Sequence, residues 1–384
     1  MEFPHLTAYM DHMVKDLHVP GVNCIVCQGH RQLFRYFTGV RDLQSRQPMT
    51  GDELYIIFSM TKMLTCTCAL QLLEQGLYKM SDPISKFLPE FEKMRIAPTA
   101  ASGAEDAYAR NPITVRDLFT MGAGLDYDLQ APGIRQALRS GKTTTRELVA
   151  AMAETVLGFE PGTRYRYSLC HDVLGALVEI WSGQTLGQYM QAHIFIPLGM
   201  NSTFFGVPKS DDLRKNMVSR YIYAEDGSVQ PLPLECPYNF TEQYESGGAG
   251  LVSTASDYAI FLDAMANGGQ AANGYRLLKS ETVALMGANH LNRQQLEDFG
   301  INRPGYGYGL GVRTHMDPGK SGCLSPVGEF GWDGAAGGFA VVDPKNQISL
   351  TYFQEVHRWP LRIQTEMRNA LYTDLAQAGL LKEI

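Results

Sequence analysis

The chain has 384 residues, of which 45% are hydrophobic and 19% charged, and carries a formal net charge of -7. That size and composition suit a folded protein with a buried core and leave room for two domains. The acidic balance offers no basic field for phosphate backbones or anionic membranes, so nucleic acid is not expected as a partner.

The opening residues, MEFPHLTAYMDHMVKDLHVPG, set Leu6, Met10, Met13 and Leu17 on one side of an amphipathic helix. They lack the basic start, apolar run and small-residue cleavage site of a secretory leader. No stretch reaches the roughly eighteen apolar residues of a membrane span. The expectation is therefore a soluble, cytoplasmic protein whose seven cysteines are reduced thiols.

VNCIVCQ and LFRYFTGV flank GHRQ and predict a hairpin. Cys24 and Cys27 form C-x-x-C, but a strand sends them to opposite faces, which disfavours metal or redox chemistry. Next comes ELYIIFSMTKMLTCTCALQLLEQG, where an apolar run turns into a helical pattern at FSMTK; Cys66 and Cys68 are expected to pack within that helix. From DPISKFLPEF to about residue 250, ITVRDLFTMG, TTRELVAAMAETV, CHDVLGALVEIWSG and TLGQYMQAHIF predict helices separated by Gly and Pro breakers. Beyond SGGAGL, SDYAIFLDAMAN predicts a helix and YGYGLGVRT a strand. GEFGWDGAAGGFAVVD and ISLTYFQEV predict strands joined at DPKN, and LRIQTEMRNALYTDLAQAGLL an amphipathic terminal helix.

This order predicts an α/β (α+β) fold with an antiparallel sheet flanked by helices. Residues 1–82 and 251–384 would form the α/β domain, and 83–250 an inserted, mostly helical domain.

Ser59 and Lys62 stand at i and i+3 of a first helical turn, and so share one face. A serine hydroxyl needs a base to attack at neutral pH, and an amine serves if burial or a helix N-terminus lowers its pKa. The same N-terminus leaves backbone N–H groups for a developing oxyanion. S-x-x-K alone is unspecific, because a capping serine one turn before a solvated lysine is common. Partners are required.

The chain from about residue 5 to 375 resembles the penicillin-recognising serine hydrolases: class C β-lactamases, D-Ala-D-Ala peptidases and the β-lactamase-like carboxylesterases of family VIII. FSMTK matches the nucleophile motif. RYRYSLCHDVLG after the PGTR turn matches the second motif, placing Tyr167 on its tyrosine. LFTMGAGLDYD matches a pocket segment at Tyr127. GWDGAAGG with VVDPKNQISLTYFQE matches the third motif and the terminal strand pair, with Trp332, Asp333 and Gly334 on the motif, and GGAGLVSTASDYAIFLDAMANGG matches a stretch outside the site.

The resemblance implies that Ser59 forms an acyl-enzyme while Lys62 and Tyr167 shuttle its proton. The Ser59 and Ala335 N–H groups would hold the oxyanion, Ala335 lying on the strand after Gly334, whose missing side chain gives the substrate room. Tyr127, Trp332, Asp333 and Gly334 would line a pocket for a small-molecule ester or lactam, with no cofactor and no metal. The family's Y-x-N asparagine is Leu169 here, and the lysine of K-T-G is Trp332. These departures favour a carboxylesterase on small or short-acyl esters over a β-lactamase, D-Ala-D-Ala peptidase or acyltransferase. A catalytically silent sensor is the alternative from another class, which the intact Ser59, Lys62 and Tyr167 oppose.

Simpler readings stand beside these. Tyr167, Tyr127 and Trp332 each also suit a packing role. His171-Asp172 raises a Ser–His–Asp triad, but G-x-S-x-G is absent. SGKT at 140–143 imitates a phosphate loop whose first glycine would fall on Gln136. The nine histidines show no metal-ligand spacing.

Overall fold

The computed structural model describes residues 2–97 and 107–382; residues 98–106, which the sequence places in the inserted region, lie outside the described residues, as do Met1 and 383–384. A seven-stranded antiparallel sheet organises the molecule. Its strands are β1 (Gly21–Gln28), β2 (Arg31–Gly39), β3 (Tyr306–Tyr308), β4 (Arg313–His315), β5 (Phe330–Gly331), β6 (Phe339–Asp343) and β7 (Ile348–Phe353), in the order β3-β4-β5-β6-β7-β1-β2. The two chain ends thus meet at the β7–β1 pair.

Both faces of the sheet are covered, so its central strands read as near-continuous apolar runs. Phe339 and Val341 of β6, with Leu350 and Tyr352 of β7, face helices α1 (Pro4–Lys15) and α5 (Arg362–Gln377). Ala340, Val342 and Phe353 face the opposite cluster with α2 (Thr61–Glu74), α3 (Cys170–Ser182) and α4 (Ala255–Ala266). The period of two also parts Cys24 from Cys27, which enter different clusters. All seven cysteines are free and buried.

Helix α2 is buried on every side from Thr61 to Leu72 and packs against α3. That is why its sequence shows no polar face. The inserted region supplies helices Val115–Phe119, Thr145–Met152 and Leu186–Met190, each opened by a threonine capping box. It also contains strands Arg220–Tyr223 and Val229–Leu232, which pair with each other, while Arg220–Tyr223 also runs parallel to Val356–His357. The strand predicted over YGYGLGVRT is instead a hairpin, β3–β4. Gly311 at φ +83° and the 2.7 Å bond from Gly309 N–H to Val312 O fold it back. Among the described residues no helix is long and apolar enough to cross a membrane.

Candidate active site

Ser59 sits in a single 3₁₀ turn, Phe58–Met60, that leads directly into α2. Strand Tyr55–Ile56 pairs with Leu251–Ser253, fixing the approach to that turn. Phe58 then takes φ +45°, a left-handed conformation that a phenylalanine holds only when its surroundings enforce it. Its ring is enclosed by Tyr238, His357 and the Arg220 guanidinium. The reversal leaves Ser59 lining a cleft of about 520 Å³.

Lys62, one helical turn on, is fully buried. Its Nζ donates to Ser59 Oγ at 3.1 Å, Tyr127 OH at 3.3 Å and Gly248 O at 2.6 Å. The Tyr127 and Tyr167 rings lie 5.4 and 4.8 Å from the same nitrogen.

Tyr167 reaches the site from the segment before α3, which is held by Arg166 N–H to Met121 O and Leu169 N–H to Asp126 O, both 3.0 Å. Its hydroxyl donates to Ser59 Oγ at 2.7 Å and accepts the Trp332 indole N–H at 3.3 Å. Tyr127, Tyr167 and Trp332 form a stack with centroid spacings of 5.4 and 5.6 Å. The sequence left Tyr127 and Trp332 open between pocket and packing; in the structure both line the cleft and both pack against the buried core. Burial, reinforced by the neighbouring Tyr167 and Asp172, pushes the Tyr127 phenol well above its ordinary value.

Asp333 and Gly334 also line the cleft. Asp333 accepts two hydrogen bonds, at 2.8 and 2.9 Å, from Arg303, whose guanidinium stacks 5.1 Å from the Trp332 ring centre. A Cβ at position 334 would lie 2.7 Å from Ile57 O, so close backbone approach requires the glycine there, where the sequence suggested room for substrate. Ala335 is not on a strand as expected. Strand β5 ends at Gly331, and Ala335 lies in a turn closed by Gly334 N–H to Gly338 O and Gly337 N–H to Gly334 O. The two glycines at 337 and 338 make that turn, and Ala335 is exposed on the cleft wall.

Two groups, Gly248 and Arg303, escaped the sequence reading, and a third, Asp172, entered it only as part of a rejected Ser–His–Asp triad. The SGGAGL stretch, expected outside the site, delivers the Gly248 carbonyl to Lys62. Asp172 is buried beneath it, where Oδ1 accepts from Tyr244 OH at 2.8 Å and Ser246 Oγ at 2.6 Å. Burial raises the Asp172 pKa, while the Lys62 charge and these hydrogen bonds draw it back down. Arg303 sits among ordinary loop residues and carries no motif. The Ser-Gly-Gly run was the available signal for the first of these, since paired glycines mark close backbone approach.

His171 does not join Ser59. It faces Phe119 O and Cys66 Sγ, at 3.4 and 3.6 Å, inside the core, and burial followed by the Lys62 charge lowers its pKa to about 3. Leu169 is buried at the start of α3. Among the described residues no group of three or more His, Cys, Asp or Glu side chains is arranged to hold a metal ion.

The family model described as Beta-lactamase matches residues 6–372. The chain is 32% identical over 325 residues to "Protein Rv1367c" of Mycobacterium tuberculosis, covering 82% of this chain and 80% of that one. It is 29% identical over 372 residues to "Esterase EstB" of Burkholderia gladioli, covering 90% and 88%. The solved structure titled "EstCE1, a hydrolase with promiscuous acyltransferase activity" superposes with a TM-score of 0.79 at 24% identity, covering 96% of this chain and 97% of that one.

Proposed function

The chain belongs to the beta-lactamase family of serine hydrolases, and on that premise we propose that it is a carboxylesterase that forms an acyl-enzyme on Ser59 with small or short-acyl esters. The convergence of Tyr167 OH and Lys62 Nζ on Ser59 Oγ, at 2.7 and 3.1 Å, carries this reading. Ser59 Oγ attacks the ester carbonyl as its proton passes towards Tyr167 and Lys62, and the same pair returns a proton to the departing alkoxide. The Ser59 and Ala335 N–H groups hold the tetrahedral oxyanion. Water then attacks the acyl-enzyme by the reverse route and frees the acid.

Substrate preference follows from the walls. Tyr127, Tyr165, Tyr167, Tyr238, Phe299 and Trp332 make the cleft aromatic around the serine. Position 332 has no cationic side chain, Asp333 takes up the Arg303 charge, and Leu169 has no amide with which to hold a lactam side chain. Neutral esters fit that chemistry better than penicillins.

A fluorophosphonate probe should label the wild type and leave Ser59→Ala unlabelled. Turnover of p-nitrophenyl butyrate should exceed that of nitrocefin. An unlabelled, folded wild type would remove the reading, and nitrocefin as the better substrate would return it to a β-lactamase.

A further inference from the structure

Beside the cleft, separated from it only by Asn302, Arg303 and Leu361, which line both, is a second recess of about 150 Å³. Its chemistry is unlike that of the aromatic cleft. Arg303, Arg313, Arg362 and Arg368 all line it, together with Gln364 and Ser321. Arg313 and Arg368 are 1% exposed, whereas Arg362 and Leu361 stand exposed at the lip.

The acids on hand are already committed. Glu329 lies 2.9 Å from Arg313 Nη2 and 3.4 Å from Arg368 Nε, and Asp333 holds Arg303. Asp343, near enough to add to the burial that raises the Glu329 pKa, accepts from Asn346 and Tyr372. Even so, Arg313 Nε and Nη1, Arg368 Nη2 and Gln364 Nε2 are buried donors without a hydrogen-bond partner among the described residues. Buried donors are almost always matched, and these belong to side chains that line the recess. Guanidinium forks match the geometry of carboxylate and phosphate oxygens. The volume equals that of about five waters, enough for either group.

We propose that this recess binds an anionic group, a carboxylate or phosphate, and that its continuity with the cleft makes it a subsite for an anionic end of the ester substrate. This rests on the esterase reading and extends it. The scissile end of the substrate lies among the aromatic side chains around Ser59, and the charged end lies beyond Arg303.

Inorganic phosphate, with ionic strength held constant by chloride, tests the site without turnover. It should raise the unfolding midpoint saturably in the wild type and in Ser59→Ala. Reversing charge at the exposed lip, in Arg362→Glu, should weaken that response about tenfold without threatening the fold. Turnover supplies the second arm, using p-nitrophenyl monoesters of succinic, glutaric and adipic acid and 3-carboxyphenyl butyrate against p-nitrophenyl butyrate. At least one carboxylate-bearing ester should be inhibited competitively by phosphate, and its kcat/KM should fall about tenfold in Arg362→Glu while that of the neutral ester holds. Absence of a saturable phosphate shift would overturn the site, and a shift without competition against any anionic ester would overturn its link to the substrate. A phosphate shift in a protein that turns over none of these esters would sink the esterase reading and leave the anion site supported.

Discussion

Tyr167 both donates to Ser59 Oγ and accepts from the Trp332 indole, so one phenol oxygen links the hydroxyl to the cleft wall. Tyr167→Phe keeps the stacked ring and deletes that oxygen. Its kcat for p-nitrophenyl butyrate should fall by about 10²- to 10⁴-fold, the usual range for a lost proton-transfer group, with KM little changed. Trp332→Phe removes the N–H donor from the other side of the same atom and keeps a smaller aromatic ring in the stack. Its kcat should fall about tenfold, the equivalent of one hydrogen bond, and the Tyr167→Phe, Trp332→Phe double variant should lose little beyond Tyr167→Phe alone. Full additivity of the two losses would show that the indole acts independently of the phenol.

At the scale of elements, the Ser246–Gly250 turn is fixed as closely as the side chains it serves. A Cβ at Gly248 would lie 2.5 Å from Asp172 Oδ2 and 3.3 Å from Lys62 Nζ. Gly248→Ala should therefore displace the carbonyl that holds the amine and lower kcat about 100-fold, in a protein that still unfolds cooperatively. On the other side of Phe58, strand Val356–His357 and its partner Arg220–Tyr223 carry a buried charge cluster. Arg220 Nε lies 3.6 Å from Glu355 Oε1, and its Nη2 lies 2.9 Å from His357 Nε2. Burial, opposed by Arg220, raises the Glu355 carboxyl from 4.5 to about 8; burial, aided by Arg220, lowers His357 from 6.5 to about 4. The folded state therefore binds the Glu355 proton more tightly than the unfolded state, so this contribution to stability is complete below 4.5 and is lost as pH rises through about 8. His357 acts in the opposite sense: its contribution is present above 6.5 and lost as pH falls through about 4. Urea unfolding across this range should show Glu355→Gln gaining stability relative to wild type as pH rises from 4.5 to 8. A difference independent of pH would refute the assignment.

At the scale of the molecule, the sheet separates two cores. The cluster of α1, α5 and one sheet face contains Met10, Leu371 and Tyr352, while Ser59 and its partners belong to the other side. Leu371 is fully buried in the former. Leu371→Ala should lower unfolding free energy by about 2–5 kcal/mol through lost burial and a residual cavity. At a temperature where the variant stays folded, kcat should be unchanged. A matching fall in kcat would mean that the terminal helices tune the cleft through the sheet.

The linear pattern determined whatever depends on near neighbours. The i, i+3 spacing brought Ser59, in the 3₁₀ turn, and Lys62, in the first turn of α2, to one side, the period of two parted Cys24 from Cys27, and threonine caps opened the inserted helices. Motif order was enough to nominate Tyr167, Tyr127 and Trp332. Tertiary structure alone decided which long-range groups meet: the Gly248 carbonyl under Lys62, Asp172 beneath the turn, Arg303 on Trp332, and Ala335 on a turn beyond its strand. These contacts join residues up to 186 positions apart. No local periodicity encodes them, because their positions follow from how the sheet, α2 and α3 pack against one another.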